Sequence, residues 1–169
     1  MDRRVLVAYA SKHGATAEIA KRIGEVLRKA GLSADVMPVE RVTDLVHYGA
    51  VILGSAVYIG RWRKEATKFL EDNTEALTKR KMWLFSSGPT GEGDPVELVE
   101  GKMIPDSLQH IVNRIKPQDI KVFHGVLDMS ELSFIERWMI KRVNAPTGDY
   151  RNWDAITAWA QSIADALKG

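Results

Sequence analysis

The chain has 169 residues, 45% of them hydrophobic and 27% charged, which is the makeup of one folded domain and not of a disordered or fibrous chain. It has no cysteine, which excludes thiolate catalysis, cysteine-ligated zinc and iron–sulfur clusters and fits a reducing compartment such as the cytoplasm. Its 24 basic and 22 acidic residues leave a net charge of +2, too small an imbalance to imply nucleic acid.

Residues 4 to 9 (RVLVAY) are continuously apolar after Arg4, as a strand buried on both faces would be. The polar stretch Ser11-Lys12-His13-Gly14 cuts this run off at once, so it is too short for a signal-peptide core. No later run approaches the ~20 residues that span a bilayer. An unsecreted chain without a transmembrane segment is expected.

Residues 16 to 30 carry Ile19, Ile23, Val26, Leu27 and Ala30 on one helical face, and Gly31 follows as a stop. Residues 34 to 39 (ADVMPV) predict a second strand, which Pro38 shortens or pushes to an edge. Residues 50 to 55 (AVILGS) predict a third, and a helix over 64–77 buries Ala66, Phe69, Leu70 and Leu77. Residues 82 to 86 (MWLFS) predict a fourth strand, followed by a Gly- and Pro-rich loop over 87–106. Leu108, Ile111, Val112 and Ile115 then mark a short helix ending before Pro117. Residues 120–127 (IKVFHGVL) predict a fifth strand, 131–143 a helix, and Trp153 onward a last helix buried along Ile156, Trp159, Ile163 and Leu167. Asn152 or Asp149 would cap it.

Strands alternating with helices imply a parallel sheet covered on both faces. The expected fold is a three-layer, doubly wound α/β domain over 1–169, its five parallel strands in the order 2-1-3-4-5, with an insertion near 128–152. In such sheets ligands bind beyond the carboxyl ends of the strands, at the switch point between the first and third. Three loops fall there. Ser11-Lys12-His13-Gly14-Ala15-Thr16 opens the first helix. It suits a phosphate monoester held by backbone N–H groups, or equally a plain turn capped by Thr16. It is neither a Walker A loop nor a GxGxxG fingerprint. Ser55-Ala56-Val57-Tyr58-Ile59-Gly60-Arg61-Trp62 puts apolar and aromatic side chains where loops are polar, as a planar ring system requires. For Tyr58 the ligand reading is preferred; for Trp62, packing on the following helix is at least as good. The glycines of Ser86-Ser87-Gly88-Pro89-Thr90-Gly91-Glu92-Gly93-Asp94-Pro95 permit close backbone approach to a ligand, which its place at a strand's carboxyl end favours over a loose connection.

At these loops the sequence resembles the flavodoxin-like, FMN-binding superfamily. VAYASKHGATAEIAKRIGEVL looks like that family's first strand, phosphate loop and first helix, and VILGSAVYIGRW like its third strand and flavin loop. Within it, the chain resembles the protoporphyrinogen-oxidase-like flavodoxin-domain proteins, which share a GSxxYxG-type flavin loop and a long insertion before the last helix. The resemblance implies non-covalent FMN. It implies phosphate contacts at Ser11, Lys12, His13, Gly14, Ala15 and Thr16. Ala56, Val57, Tyr58 and Gly60 would line the flavin ring, and Ser87, Gly88, Pro89 and Gly91 would close its other side. Lys12 and His13 depart from the hydroxyl-rich loop of electron-carrier flavodoxins.

Two activities follow as expectations. One is an oxidoreductase that takes hydrogens from a small substrate, by resemblance protoporphyrinogen IX, and passes them to a quinone. The other is a one-electron carrier that docks on a reductase or another protein. The near-balanced charge weakens the carrier, whose docking is usually steered by an acidic surface. In the insertion, Phe134, Ile135, Trp138, Met139 and Ile140 share a broad face bordered by Arg137, Lys141 and Arg142. Such a helix would cover the flavin, wall a substrate site, or rest on an anionic membrane as a peripheral contact; the plainer expectation is packing on the sheet edge. Arg151 is read as a surface contact before an acidic-substrate ligand. A phosphorelay receiver is excluded because Ala10 and Ser55 stand where it needs acidic residues. His13, His47, His110 and His124 form no triad or metal-ligand spacing, so no catalytic residue and no metal site are assigned.

Overall fold

The alternation of buried side chains along each strand builds two apolar layers from one sheet. In the computed structural model, which describes residues 4–58, 60–143 and 145–169, strand β1 (Arg4–Ala10) sends Leu6 and Ala8 to one face and Val5 and Val7 to the other. β3 (Tyr48–Tyr58) divides Val51 and Leu53 from Ala50 and Ile52, and β5 (Lys81–Ser87) divides Met82 and Leu84 from Trp83 and Phe85. Both faces are apolar because helices cover both.

Helices α1 (Ala15–Lys29) and α6 (Trp153–Lys168) bury Ile19, Ile23, Leu27, Ile156, Trp159 and Ile163 against one face. Helices α2 (Lys64–Thr78) and α4 (Gln109–Ile115) bury Ala66, Phe69, Leu70, Leu77, Ile111, Val112 and Ile115 against the other. With β2 (Ala34–Pro38) and β6 (Asp119–Phe123), the parallel order is β2-β1-β3-β5-β6. Counting only these five strands, that is the expected 2-1-3-4-5. β2, closed by Pro38, lies at the edge. β4 (Arg61–Trp62) is an addition that folds back antiparallel on the end of β3.

Several expectations need correction. The second loop is mostly strand: β3 runs to Tyr58 and pairs Val57 with Trp62 and Tyr58 with Arg61; Ile59 lies outside the described residues. The stretch 87–106 holds the single-turn helix α3 (Pro95–Leu98), capped by the Asp94 side chain. The fifth strand does not run to 127. It stops at Phe123, and β7 (Val126–Leu127) leaves the sheet to pair with β8 (Gly148–Asp149). Gly125 causes the break. A Cβ there would fall 2.8 Å from the Gly88 Cα, and the Gly125 N–H donates to the Pro89 carbonyl at 3.0 Å. The backbone is drawn onto the third loop and off the sheet. The helix expected over 131–143 starts later, as α5 (Phe134–Val143), after a 3-10 turn over Met129–Glu131 capped by Asp128. Of the two caps considered for α6, Asn152 is the one used: its side chain accepts from the Ala155 N–H.

Candidate functional site

The three loops converge on one cleft of about 430 Å³ at the carboxyl ends of β1, β3 and β5. The first loop owes its shape to Gly14, which caps α1 in the left-handed region at φ 90°. Its N–H donates to Ser11 Oγ at 3.0 Å and its carbonyl accepts from Glu18 N–H at 3.1 Å. This leaves the first-turn amides of Ala15, Thr16 and Ala17 at the positive end of the helix dipole, without partners inside the helix. Thr16 is not the cap. It is buried in the first turn, with its hydroxyl 3.4 Å from Ser87 Oγ.

The second and third loops are joined through backbone. A Cβ on Gly88 would lie 2.8 Å from the Val57 carbonyl oxygen, so only glycine lets the two strand ends approach this closely. Behind them Trp62 is buried, as the packing alternative held, and its Nε1–H donates to Ser86 Oγ at 2.8 Å. Ser86 in turn donates to the Met103 carbonyl at 3.0 Å. Trp62→Phe removes this buried donor and should cost about 1–2 kcal/mol, read as a lower urea midpoint with an unchanged slope.

The fourth wall comes from the segment between β6 and α6. Leu127, Leu132 and Ile140 form a small apolar cluster with Tyr58, Met129 and Ala145 packed against it, and the first three line the cleft. The outer side of α5 is uncovered: Phe134 is 85%, Ile135 68% and Trp138 54% exposed. This overturns the plainer expectation of a sheet-edge core helix. The single stripe read from sequence is divided, with Ile140 inward and the aromatic residues outward.

Charge is concentrated at the mouth. Glu136 sits in the first turn of α5 in a reciprocal cap: its N–H donates to Ser133 Oγ, and its Oε1 accepts from the Ser133 N–H, both at 3.2 Å. The same carboxylate accepts from Lys12 Nζ at 2.7 Å and lies 3.4 Å from His13 Nε2. Burial opposes its charge, yet the bonds from Lys12, Ser133 and His13 prevail and hold its pKa down to about 2. Burial, followed by the neighbouring Glu136 carboxylate, pushes the Tyr58 phenol up to about 12. Arg151 closes the other side. Its side chain is 9% exposed, and the guanidinium holds Asp149 at 2.8 Å, donates to the Ala15 carbonyl at 3.3 Å and stacks 4.8 Å from Trp153. It is thus a buried fastener of the insertion to α1 and not the surface contact expected.

Of the residues singled out from sequence, Ser11, Lys12, His13, Ala15, Thr16, Ala56, Val57, Tyr58, Ser87, Gly88 and Pro89 line this cleft. Gly14, Gly60 and Gly91 do not. They shape its loops through positive φ at 90°, 71° and 108°. Glu136 and the Leu127, Leu132 and Ile140 wall were missed, and Arg151, ranked first as a surface contact, also lines the cleft. The Ser133-x-x-Glu136 capping signature was readable, but its long-range partners were not. His124 is half-buried at the end of β6, away from this cleft. Among the described residues no helix is long and apolar enough to cross a membrane.

Comparison with known proteins agrees with this architecture. The Flavodoxin domain family matches residues 6–154. Protoporphyrinogen IX dehydrogenase [quinone] of Escherichia coli (strain K12) is 21% identical over 177 residues, covering 95% of this chain and 94% of that protein. Among solved structures, a flavodoxin from the domain Archaea superposes with a TM-score of 0.65 at 14% identity, covering 98% of this chain and 99% of its own. The Streptococcus pneumoniae TIGR4 flavodoxin gives 0.61 at 17% identity over 96% and 99% of the two chains. Rubredoxin oxygen:oxidoreductase from Desulfovibrio gigas gives 0.61 at 17%, over 98% of this chain and 36% of its own. Because the family match spans most of its length, the chain belongs to the flavodoxin domain family, whose cofactor is FMN.

Proposed function

We propose that the protein is an FMN-dependent oxidoreductase whose small-molecule substrate enters the cleft, with protoporphyrinogen IX as the donor and a quinone as the acceptor. The residues present fit FMN. The amides after Gly14 offer donors to a phosphate, and the backbone approach of Gly88 to Val57, which a Cβ would block, leaves a slot beside Tyr58. Bound FMN would supply the redox chemistry, accepting hydrogens from one substrate and passing them to the next. Ala15, Thr16 and the first-loop side chains would bind its phosphate. Tyr58, Ala56 and Val57 would orient the ring, with Ser87, Gly88 and Pro89 on its other side.

The observation that carries the enzyme reading is the apolar hood of Leu127, Leu132 and Ile140 over Tyr58. A walled apolar compartment suits a small hydrophobic reactant and excludes water. The whole-length likeness to a quinone-linked dehydrogenase of E. coli supports the same reading. The one-electron carrier is the second reading, favoured by the near-complete superposition on flavodoxins. Anaerobic mixing of the FMN-loaded protein with protoporphyrinogen IX should bleach the flavin, and a menaquinone analogue should restore its colour over many turnovers. Reduction only by a reductase protein, with no response to small donors, would leave the carrier.

The outer face of α5 supports a peripheral location. Phe134, Ile135 and Trp138 stand exposed beside the exposed cations Arg137, Lys141 and Arg142, while the helix's one acid, Glu136, is turned inward to Lys12. Aromatic residues flanked by cations suit an anionic lipid surface, where a quinone would be met.

A further inference from the structure

We propose that Glu136 is a resident competitor for the ligand's phosphate: its carboxylate holds Lys12 and His13 at the mouth of the first loop, and a docking phosphomonoester takes those two side chains from it. This rests on the FMN reading of the cleft. Three features of the chain support the exchange. Lys12 and His13 both line the cleft, and both reach the same carboxylate, at 2.7 and 3.4 Å. The carboxylate is not a drifting surface acid, since its side chain is 12% exposed and the cap with Ser133 fixes it in place. The same two side chains lie one and two residues before Gly14, next to the amides that open α1. A phosphate carrying nearly two negative charges on those amides would stand close to the Glu136 charge, with Lys12 and His13 between them. Two anions then compete for Lys12 and His13, and their repulsion weakens as soon as one of them loses its charge.

The exchange has a geometric consequence for the insertion. Glu136 is the link between α5 and the first loop, so a phosphate that wins Lys12 loosens that end of the insertion. Arg151 still secures the other end to the Ala15 carbonyl. Occupancy of the phosphate loop and the seating of α5 are therefore coupled through one carboxylate.

The test is equilibrium titration of the flavin-free chain with FMN and, separately, with riboflavin, which lacks the phosphate. Glu136→Gln is the informative variant, because glutamine also completes a capping box and keeps α5 folded. FMN should bind roughly tenfold tighter to Glu136→Gln than to the native chain, with riboflavin affinity unchanged. In the double variant Lys12→Met with Glu136→Gln, the gain should disappear. Titration with inorganic phosphate, followed through the amide resonances of residues 11–17, is the arm independent of the flavin ring. If neither flavin binds but phosphate binds the variant more tightly, the cofactor reading fails and the exchange stands. Weaker or equal FMN binding by Glu136→Gln, or equal gains for FMN and riboflavin, would overturn the exchange.

Discussion

Gly14→Val is expected to raise the FMN dissociation constant by roughly 30- to 100-fold. The reason is conformational and not steric. A Cβ at position 14 meets nothing within 4 Å, so no protein atom obstructs a larger residue there. The backbone, however, sits at φ 90°, where a β-branched residue is badly strained. Holding valine there costs about 1–3 kcal/mol, and each 1.4 kcal/mol is about tenfold in affinity. Relaxing the strain turns the peptide plane and with it the amide of Ala15, one of the donors a phosphate would use. Gly14→Asn is the control, since asparagine visits the left-handed region readily; it should retain most of the affinity. Flavin fluorescence titration of both variants is decisive. An unchanged constant in a folded Gly14→Val protein would show that the phosphate does not use this helix start.

Gly54→Ala should be the most damaging single-carbon change in the fold. Gly54 pairs with Phe85 across β3 and β5, and an added Cβ would lie 2.0 to 2.3 Å from the Phe85 ring. The ring cannot retreat cheaply. It is fully buried and makes edge contacts with Phe123 and Trp159, at centroid separations of 5.9 and 6.0 Å. Overpacking of this kind costs about 3 kcal/mol or more, which for a chain of this length lowers the melting temperature by roughly 6–12 °C. Calorimetry would read it directly. Adding Phe85→Leu to Gly54→Ala should recover part of the loss, whereas additive losses would mean that the ring is not the obstacle.

The sheet and its two helical layers were legible because their signals are local. Unbroken apolar runs at 4–9, 50–55 and 82–86, and the 3.6-residue stripe through Ile19, Ile23 and Leu27, each identify one element without help from distant residues. Topology then places the cleft at the carboxyl ends of the first and third parallel strands. The insertion was much less legible. A two-residue strand such as β7 carries no periodicity, and the break at Gly125 depends on Gly88, far away in sequence. A helix stripe states which residues are apolar but not what covers them, so the expectation for α5 leaned to a sheet-edge core that the structure does not form. Glu136 and Lys12 are 124 residues apart, and no pattern along the chain connects them.

The split face of α5 also gives the protein an optical reporter. Trp62, Trp83 and Trp159 are buried, and Trp153 has the guanidinium groups of Arg22 and Arg151 at 4.9 and 4.8 Å from its ring. Trp138 alone of the five indoles stands largely in solvent, on the outer side of α5. A neutral aqueous quencher should therefore reach Trp138 emission first. Whatever comes to rest on α5, lipid or protein, would shield that one indole and blue-shift its emission without any label being attached.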